Sequence, residues 1–335
     1  MQPFSYTSAD SVAAALQAVD QQPGAVFFAG GTTLLDLMKL DVVTPAQLVD
    51  INRLPLSSIE TDDAGITIGA NVRNSDAAHH PLIRERLPVL AEALLAGASA
   101  QLRNMASMAG NLMQKTRCAY YRDVNAACNK RNPGSGCNAI SGENRMHAVL
   151  GTSELCIATH PSDLCVALVA LNAVVRTQWQ NGHARSIPLN EFYLLPGDTP
   201  NRETVLEKGE LITQIHIPFD SVNRRSHYLK VRDRASYEFA LTSAAVALEI
   251  QNGGVVKARV GLGGVGTVPW RSHEAEKVLQ GEPAGRHTFA AAAEAALAGA
   301  RPRRLNALKV ELAKRTLILA LEELMARKGK RQQEK

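Results

Sequence analysis

No stretch of the 335-residue chain approaches the roughly 18 to 20 consecutive apolar residues that a membrane helix needs, so no membrane span is expected. Aromatic residues make up only 4%, too few for the base-stacking platform of a single-strand binder. Basic residues outnumber acidic ones by 37 to 32, and much of that excess lies in the terminal ARKGKRQQEK. With no motif-bearing or aromatic surface beside it, this tail reads as a solvated end, and nucleic acid is not an expected partner. The opening MQPFSYTSADSVAAALQAVDQQPG has neither the basic nor the continuous apolar region of an export signal. Ser-His-Asp sets, paired catalytic carboxylates and Walker loops are missing from any convincing context, which fits a chain that does no substrate chemistry itself.

What is present comes in recognisable order. An amphipathic helix with Val12, Leu16 and Val19 on one face stops at Pro23-Gly24. Residues 25–28 read as a buried strand, Gly30-Gly31 as a tight turn and residues 32–40 as the start of a helix. Glycines at such a turn let backbone N–H groups approach a phosphate at a helix N-terminus, although the Gly-x-Gly-x-x-Gly fingerprint is absent here. Residues 47–51 and 65–70 alternate as strands, and 81–95 carries helical spacing. An apolar run at 164–175 and a strand at 210–218 follow, which makes the first part an α+β domain. The composition turns polar at 220–225, where a domain boundary is expected. Beyond it, an Asn-Gly pair between two strand-like runs predicts a β-hairpin, followed by helices near 273–279, 288–298 and 304–326.

Four of the five cysteines, Cys118, Cys128, Cys137 and Cys156, fall in one region with spacing C-x9-C-x8-C-x18-C. None of those gaps is the short C-x2-C of zinc knuckles and ferredoxins, so spacing does not name a metal. Structural disulfides, tetrahedral zinc and an iron–sulfur cluster all suit four such residues. The polar segment 125–136 has almost nothing to bury, so a cross-link or cluster is expected to order it. Arg117, Arg122, Lys130 and Arg131 stand nearby to offset the negative charge of a cluster. His147 and His160 are expected to support the cysteines from outside or to be structural, and Cys165, inside LCVALVALNAVV, an inert buried thiol.

Together FAGGTTLLDLMKL, GASAQLRNMASMAGNL, THPSD and KVRDRASYEFALTSAAVAL resemble the FAD-binding subunits of the xanthine dehydrogenase and molybdenum hydroxylase family. TRC, CNKRNPGSGC, RMHAVLG and SELCIATHPSD are similar to a narrower branch, the heterotrimeric aldehyde oxidoreductases whose FAD subunit also holds a [4Fe–4S] cluster. The resemblance implies a p-cresol methylhydroxylase-type FAD-binding domain of two α/β subdomains over 1–222, with the cluster loop inserted at about 115–158. It also implies a CO-dehydrogenase-flavoprotein-type domain over 223–328, a three-stranded antiparallel sheet with helices, and a flexible basic tail at 329–335. Its implied FAD contacts are Val26, Phe27, Phe28, Ala29, Gly30, Gly31, Thr32, Thr33 and Leu34 around the pyrophosphate, with Ser107, Gly110 and Asn111 at the second phosphate and ribityl chain. Asp163 is implied to bond FAD hydroxyls, and Ile212 and Lys230 to lie by the flavin. Thr33 stands where the pattern has Asn, keeping a hydroxyl but losing an amide. The four cysteines are the implied cluster ligands. Partners implied are a [2Fe–2S] small subunit and a molybdenum-cofactor large subunit, with electrons leaving to an external acceptor. Co-export to the periplasm with a twin-arginine partner follows from the same resemblance, cytoplasm being the alternative. A 4-hydroxybenzoyl-CoA reductase flavin subunit and a zinc-stapled, non-redox scaffold are the competing readings.

Overall fold

The computed structural model describes residues 1–333, with side chains to Arg327 except that of Asn181. The basic tail expected at 329–335 therefore lies outside the residues whose side chains are described. The first sheet is parallel, with Gln47–Asp50 between Ser5–Ser8 and Ala25–Phe28. Ser11 caps the helix Val12–Gln21, which presses Ala15, Leu16 and Val19 onto the sheet.

A second, antiparallel sheet runs Ile59–Thr61, Gly65–Gly69, Leu211–Pro218, Val174–Gln178, Ala184–Pro188. Chain segments far apart in sequence thus meet at its centre. The helical stretch expected over 81–95 divides into Pro81–Arg86 and Pro88–Ala96, because the residue before a proline is pushed out of the helical region. Leu87 takes φ −134°, ψ 55° there.

The helix Asp163–Ala170 is buried at all eight residues. It lies between the second sheet's domain and a third sheet, ordered Trp270–Arg271, Gly254–Gly263, Thr242–Gln251, Ser226–Val231. A three-stranded antiparallel sheet was expected; the sheet has four strands, because the two-residue edge strand Trp270–Arg271 pairs with Gly254–Gly263. Gly261 lets the helix lie close, since a Cβ there would stand 2.6 Å from the Val166 carbonyl. The expected hairpin turns at Asn252 (φ 51°) and Gly253 (φ 80°), positive angles that Asn-Gly adopts readily. His273–Leu279, Arg286–Leu297 and Leu308–Gln333 form the helical layer of this domain, closing a core that includes Val246, Leu248, Phe289 and Leu317. No helix among the described residues is long and apolar enough to cross a membrane.

A two-lobed cofactor cleft and a cysteine loop

Two cavities, of about 340 and 480 Å³, share Thr32, Thr33 and Gly110 and so form one cleft with a waist. At the waist the strand Ala25–Phe28 turns through Gly30 and Gly31 into the helix Leu34–Lys39. Gly31 has φ +69°, and a Cβ there would meet the Phe28 ring at 2.6 Å. A Cβ on Gly30 would overlap the Met105 carbonyl oxygen, so the two glycine-bearing segments touch backbone to backbone. The N–H groups of Ala29, Gly30, Gly31 and Thr32 donate to no acceptor among the described residues. Such a row of amides at a helix start is a cradle for negative charge. Phe28 alone of the nine residues from Val26 to Leu34 is absent from the lining. Thr33 precedes the helix but makes no side-chain cap, which leaves its hydroxyl to the cleft.

Residues 107–111 meet the waist differently. Ser107 is an N-cap whose Oγ accepts from Gly110 N–H at 3.2 Å. Met108 and Ala109 donate to the carbonyls of Val72 and Ala70, at 2.9 and 3.0 Å. These amides are already satisfied, so the expected phosphate contact from Ser107 and Gly110 is not available through them. What remains is the Ser107 hydroxyl proton, the bare Cα of Gly110 and the Asn111 side chain. Asn111 Oδ1 accepts from Ser162 Oγ at 2.7 Å and from Gln114, leaving its NH₂ as a donor toward the second lobe.

The first lobe is apolar, lined by Val26, Phe27, Val43, Ile51, Leu211 and Ile212. Asn71 also reaches it: its NH₂ donates to the Ile51 carbonyl at 2.6 Å, and its buried Oδ1 has no partner. An apolar slot with one orphaned acceptor fits an aromatic ring bearing an amino group, as adenine does. In the second lobe Lys230 Nζ bonds Asp163 Oδ2 at 2.7 Å and the Ala96 carbonyl at 3.1 Å. Tyr228 OH donates to Asp163 Oδ1 at 2.5 Å. Burial and the neighbouring carboxylate push the Tyr228 phenol well above its ordinary range, so it stays a donor. Ile212 and Lys230, both expected by the flavin, line opposite lobes. Tyr228 was missed by sequence reasoning, though its place two residues before Lys230 on a strand puts both on one face. Asn71 gave no such signal.

The four cysteines of the loop converge on one void of about 10 Å³, room for a water at most. Cys128 and Cys137 face each other across an antiparallel bridge. All five cysteines are free. The donor set is that of a thiolate-only site, with no carboxylate lining the void. Among the described residues, however, no group of three or more His, Cys, Asp or Glu is drawn together to hold a metal ion. Burial pushes the Cys118 thiol up to about 12 and raises that of Cys156. Metal binding would have to offset this cost, because only thiolates ligate. Cys165 is likewise buried, its thiol pushed up to about 11.

The loop's polar side chains order it from within, where a cross-link or cluster was expected to do so. The Arg131 guanidinium reaches the carbonyls of Tyr120 and Tyr121, each at 2.8 Å, and that of Ala126. Asn129 bridges Gly136 and Leu155. Arg117 and Arg122 pair with Asp36, and Lys115 and Lys130 with Glu203. Arg117, Arg122, Lys130 and Arg131 were expected to offset the charge of a cluster, and each is paired with carbonyls or carboxylates. Lys130 alone also counters the upward shift of Cys156. His147 Nε2 lies 3.1 Å from Cys118 Sγ. Beneath it the fully buried Lys309 ammonium binds the carbonyls of Met146 and His147, at 3.1 and 3.0 Å, and that of Gly264. Burial lowers Lys309 to about 7.

Cleft and fold together define a flavin-binding subunit, and comparison with known proteins agrees. Residues 2–220 match the FAD binding domain in molybdopterin dehydrogenase, and residues 227–324 the CO dehydrogenase flavoprotein C-terminal domain. The chain belongs to the FAD-binding subunits of the molybdenum hydroxylase family and is an oxidoreductase subunit. It is 50% identical over 328 residues to the aldehyde oxidoreductase FAD-binding subunit PaoB of Escherichia coli (strain K12), covering 97% of this chain and 99% of that one. It is 29% identical to the glyceraldehyde dehydrogenase medium chain of Sulfolobus acidocaldarius, over 83% of this chain and 82% of the relative. Among solved structures, carbon monoxide dehydrogenase from Hydrogenophaga pseudoflava superposes with a TM-score of 0.75 at 27% identity, covering 98% of this chain and 99% of that one.

Proposed function

We propose that this chain is the FAD- and [4Fe–4S]-carrying electron-transfer subunit of a molybdenum-containing aldehyde oxidoreductase. The observation that carries the reading is the row of four unpaired amides, from Ala29 to Thr32, at the waist of a cleft with an apolar lobe on one side and the Asp163–Lys230–Tyr228 set on the other. Those amides hold the FAD pyrophosphate. Ile212 and Asn71 serve the adenine end, while Asn111, Asp163 and Lys230 serve the ribityl and flavin end. Bound flavin supplies a centre that takes up electrons and hands them on, and the protein fixes its position and tunes it with nearby charge. Cys118, Cys128, Cys137 and Cys156 hold the [4Fe–4S] cluster. Substrate is oxidised on a molybdenum-cofactor large subunit, and electrons arrive through a [2Fe–2S] small subunit before leaving to an external acceptor. The heterotrimer is placed in the periplasm by co-export with a twin-arginine partner, which cell fractionation tests.

Anaerobically purified protein is expected to hold one FAD with about four iron and four acid-labile sulfide per chain. Cys137→Ser should lose the iron and keep the flavin. Unchanged iron in that variant sinks the ligand assignment, and flavin without iron in the parent sinks the cluster.

A further inference from the structure

A third cavity, of about 390 Å³, lies between the cysteine loop and the C-terminal domain, and it shares Arg117, Pro161, Asp163, Glu238 and Phe239 with the flavin-side lobe. Neither FAD nor the cluster, as assigned above, fills it. Met146, Val166, Phe239 and Ala240 give it an apolar body, and Met146, 36% exposed, sits at its mouth. Two polar atoms of its lining residues, His147 Nδ1 and His160 Nε2, have no partner among the described residues, and Ser243 Oγ lies near the Tyr228 hydroxyl. His147 is 6% and Ser243 2% exposed. Leaving a buried polar atom unpaired is unfavourable, so two on the residues of one apolar cavity, with a hydroxyl beside them, point to a ligand that pairs with them.

The chemistry of that ligand follows from the wall. His160 Nδ1 accepts from Ser162 N–H at 3.4 Å, which leaves the proton of the neutral ring on Nε2 as a donor. Ser243 adds a hydroxyl. The cations of the wall are already neutralised, Arg117 by Asp36 and Arg145 by Asp233 at 2.7 Å, and Glu143 and Glu238 bring negative charge. A pyrophosphate-bearing nicotinamide dinucleotide therefore finds no cradle here, and the volume admits no protein. A flat, uncharged ring carrying carbonyl oxygens fits.

We propose that this cavity binds a quinone, the external acceptor of the electron path, with Ser243 and His160 hydrogen-bonding its carbonyl oxygens and Phe239 against its ring. The inference rests on the electron-transfer reading given above. Two electrons and two protons convert the quinone to the hydroquinone; both would come from the reduced flavin held by Asp163 and Lys230, which would thereby return to the oxidised form.

The test is calorimetric titration of the purified, flavin-loaded protein with duroquinone, whose fully substituted ring resists addition of thiols. Saturable binding at one site per chain is expected. Ser243→Ala should weaken it about three- to tenfold. Ala240→Phe, which fills the cavity, should remove it with flavin content and melting temperature unchanged. Equal binding by the parent and both variants, or no saturable binding by a fully flavin-loaded parent, overturns the proposal. A purified chain devoid of flavin would instead overturn the electron-transfer reading, and the acceptor role with it.

Discussion

Residues 29–32 and 107–111 both bring glycine to a helix start at the same waist, yet they offer a ligand opposite things. In the first, four successive residues of the cleft lining have unpaired N–H groups among the described residues. In the second, Ser107 and the carbonyls of Val72 and Ala70 have already taken those of residues 108–110, and the donors left are side chains, the Ser107 hydroxyl and the Asn111 amide. Glycine at a strand-to-helix turn is therefore not in itself a phosphate site. What decides is whether a cap residue is present. Ser107 caps its helix and Thr33 does not, so the first turn keeps its amides for an anion, while in the second the cap takes one amide and leaves a hydroxyl proton in its place.

The largest effect that would break this contrast is expected from Gly30→Ala. Its methyl group would run into the Met105 carbonyl, drive the two segments apart and remove bound flavin, read as the ratio of flavin to protein absorbance. Full flavin occupancy would contradict it. Lys230→Ala comes next. It strands a carboxylate that is 8% exposed beside only a tyrosine, and should lower unfolding stability by about 3 kcal/mol. The double variant Asp163→Asn with Lys230→Met should recover most of that loss, as followed by denaturant unfolding. Ser107→Ala removes a cap and should cost about 1 kcal/mol while keeping its flavin, which separates the capped segment from the open one.

The smallest effect sharpens the link between the second segment and the cysteine loop. Burial alone would raise the Glu203 carboxyl, but Lys115 and Lys130 outweigh it and hold it below its ordinary value. A depressed folded value means stabilisation that is present at neutral pH and lost as pH falls through it. Glu203→Gln should therefore flatten the acid limb of the stability curve, and an unchanged limb would count against the bridge.

The sequence made some of this legible and hid the rest for identifiable reasons. The strand before Gly30, the Asn252-Gly253 hairpin and the buried Cys165 are local patterns, and each stands where its residues pointed. Pro88 announces the break at Leu87 to anyone who weighs it against helical spacing. Ser5–Ser8 gave no signal, because all four residues are exposed and its place is set by pairing with Gln47–Asp50. The Tyr228–Asp163–Lys230 set joins residues more than sixty positions apart, so only topology assembles it. Likewise, loop cations read as counter-charges for a cluster, while the fold turned Arg131 into a clasp for carbonyls.

Backbone hydrogen exchange of flavin-depleted protein, before and after reconstitution with FAD, tests the central claim most directly. Unpaired amides exchange freely and paired ones slowly. The account predicts that residues 29–32 are labelled quickly without FAD and become protected with it, while residues 108–110 are protected in both states. Protection gained at 108–110 with none at 29–32 would contradict it.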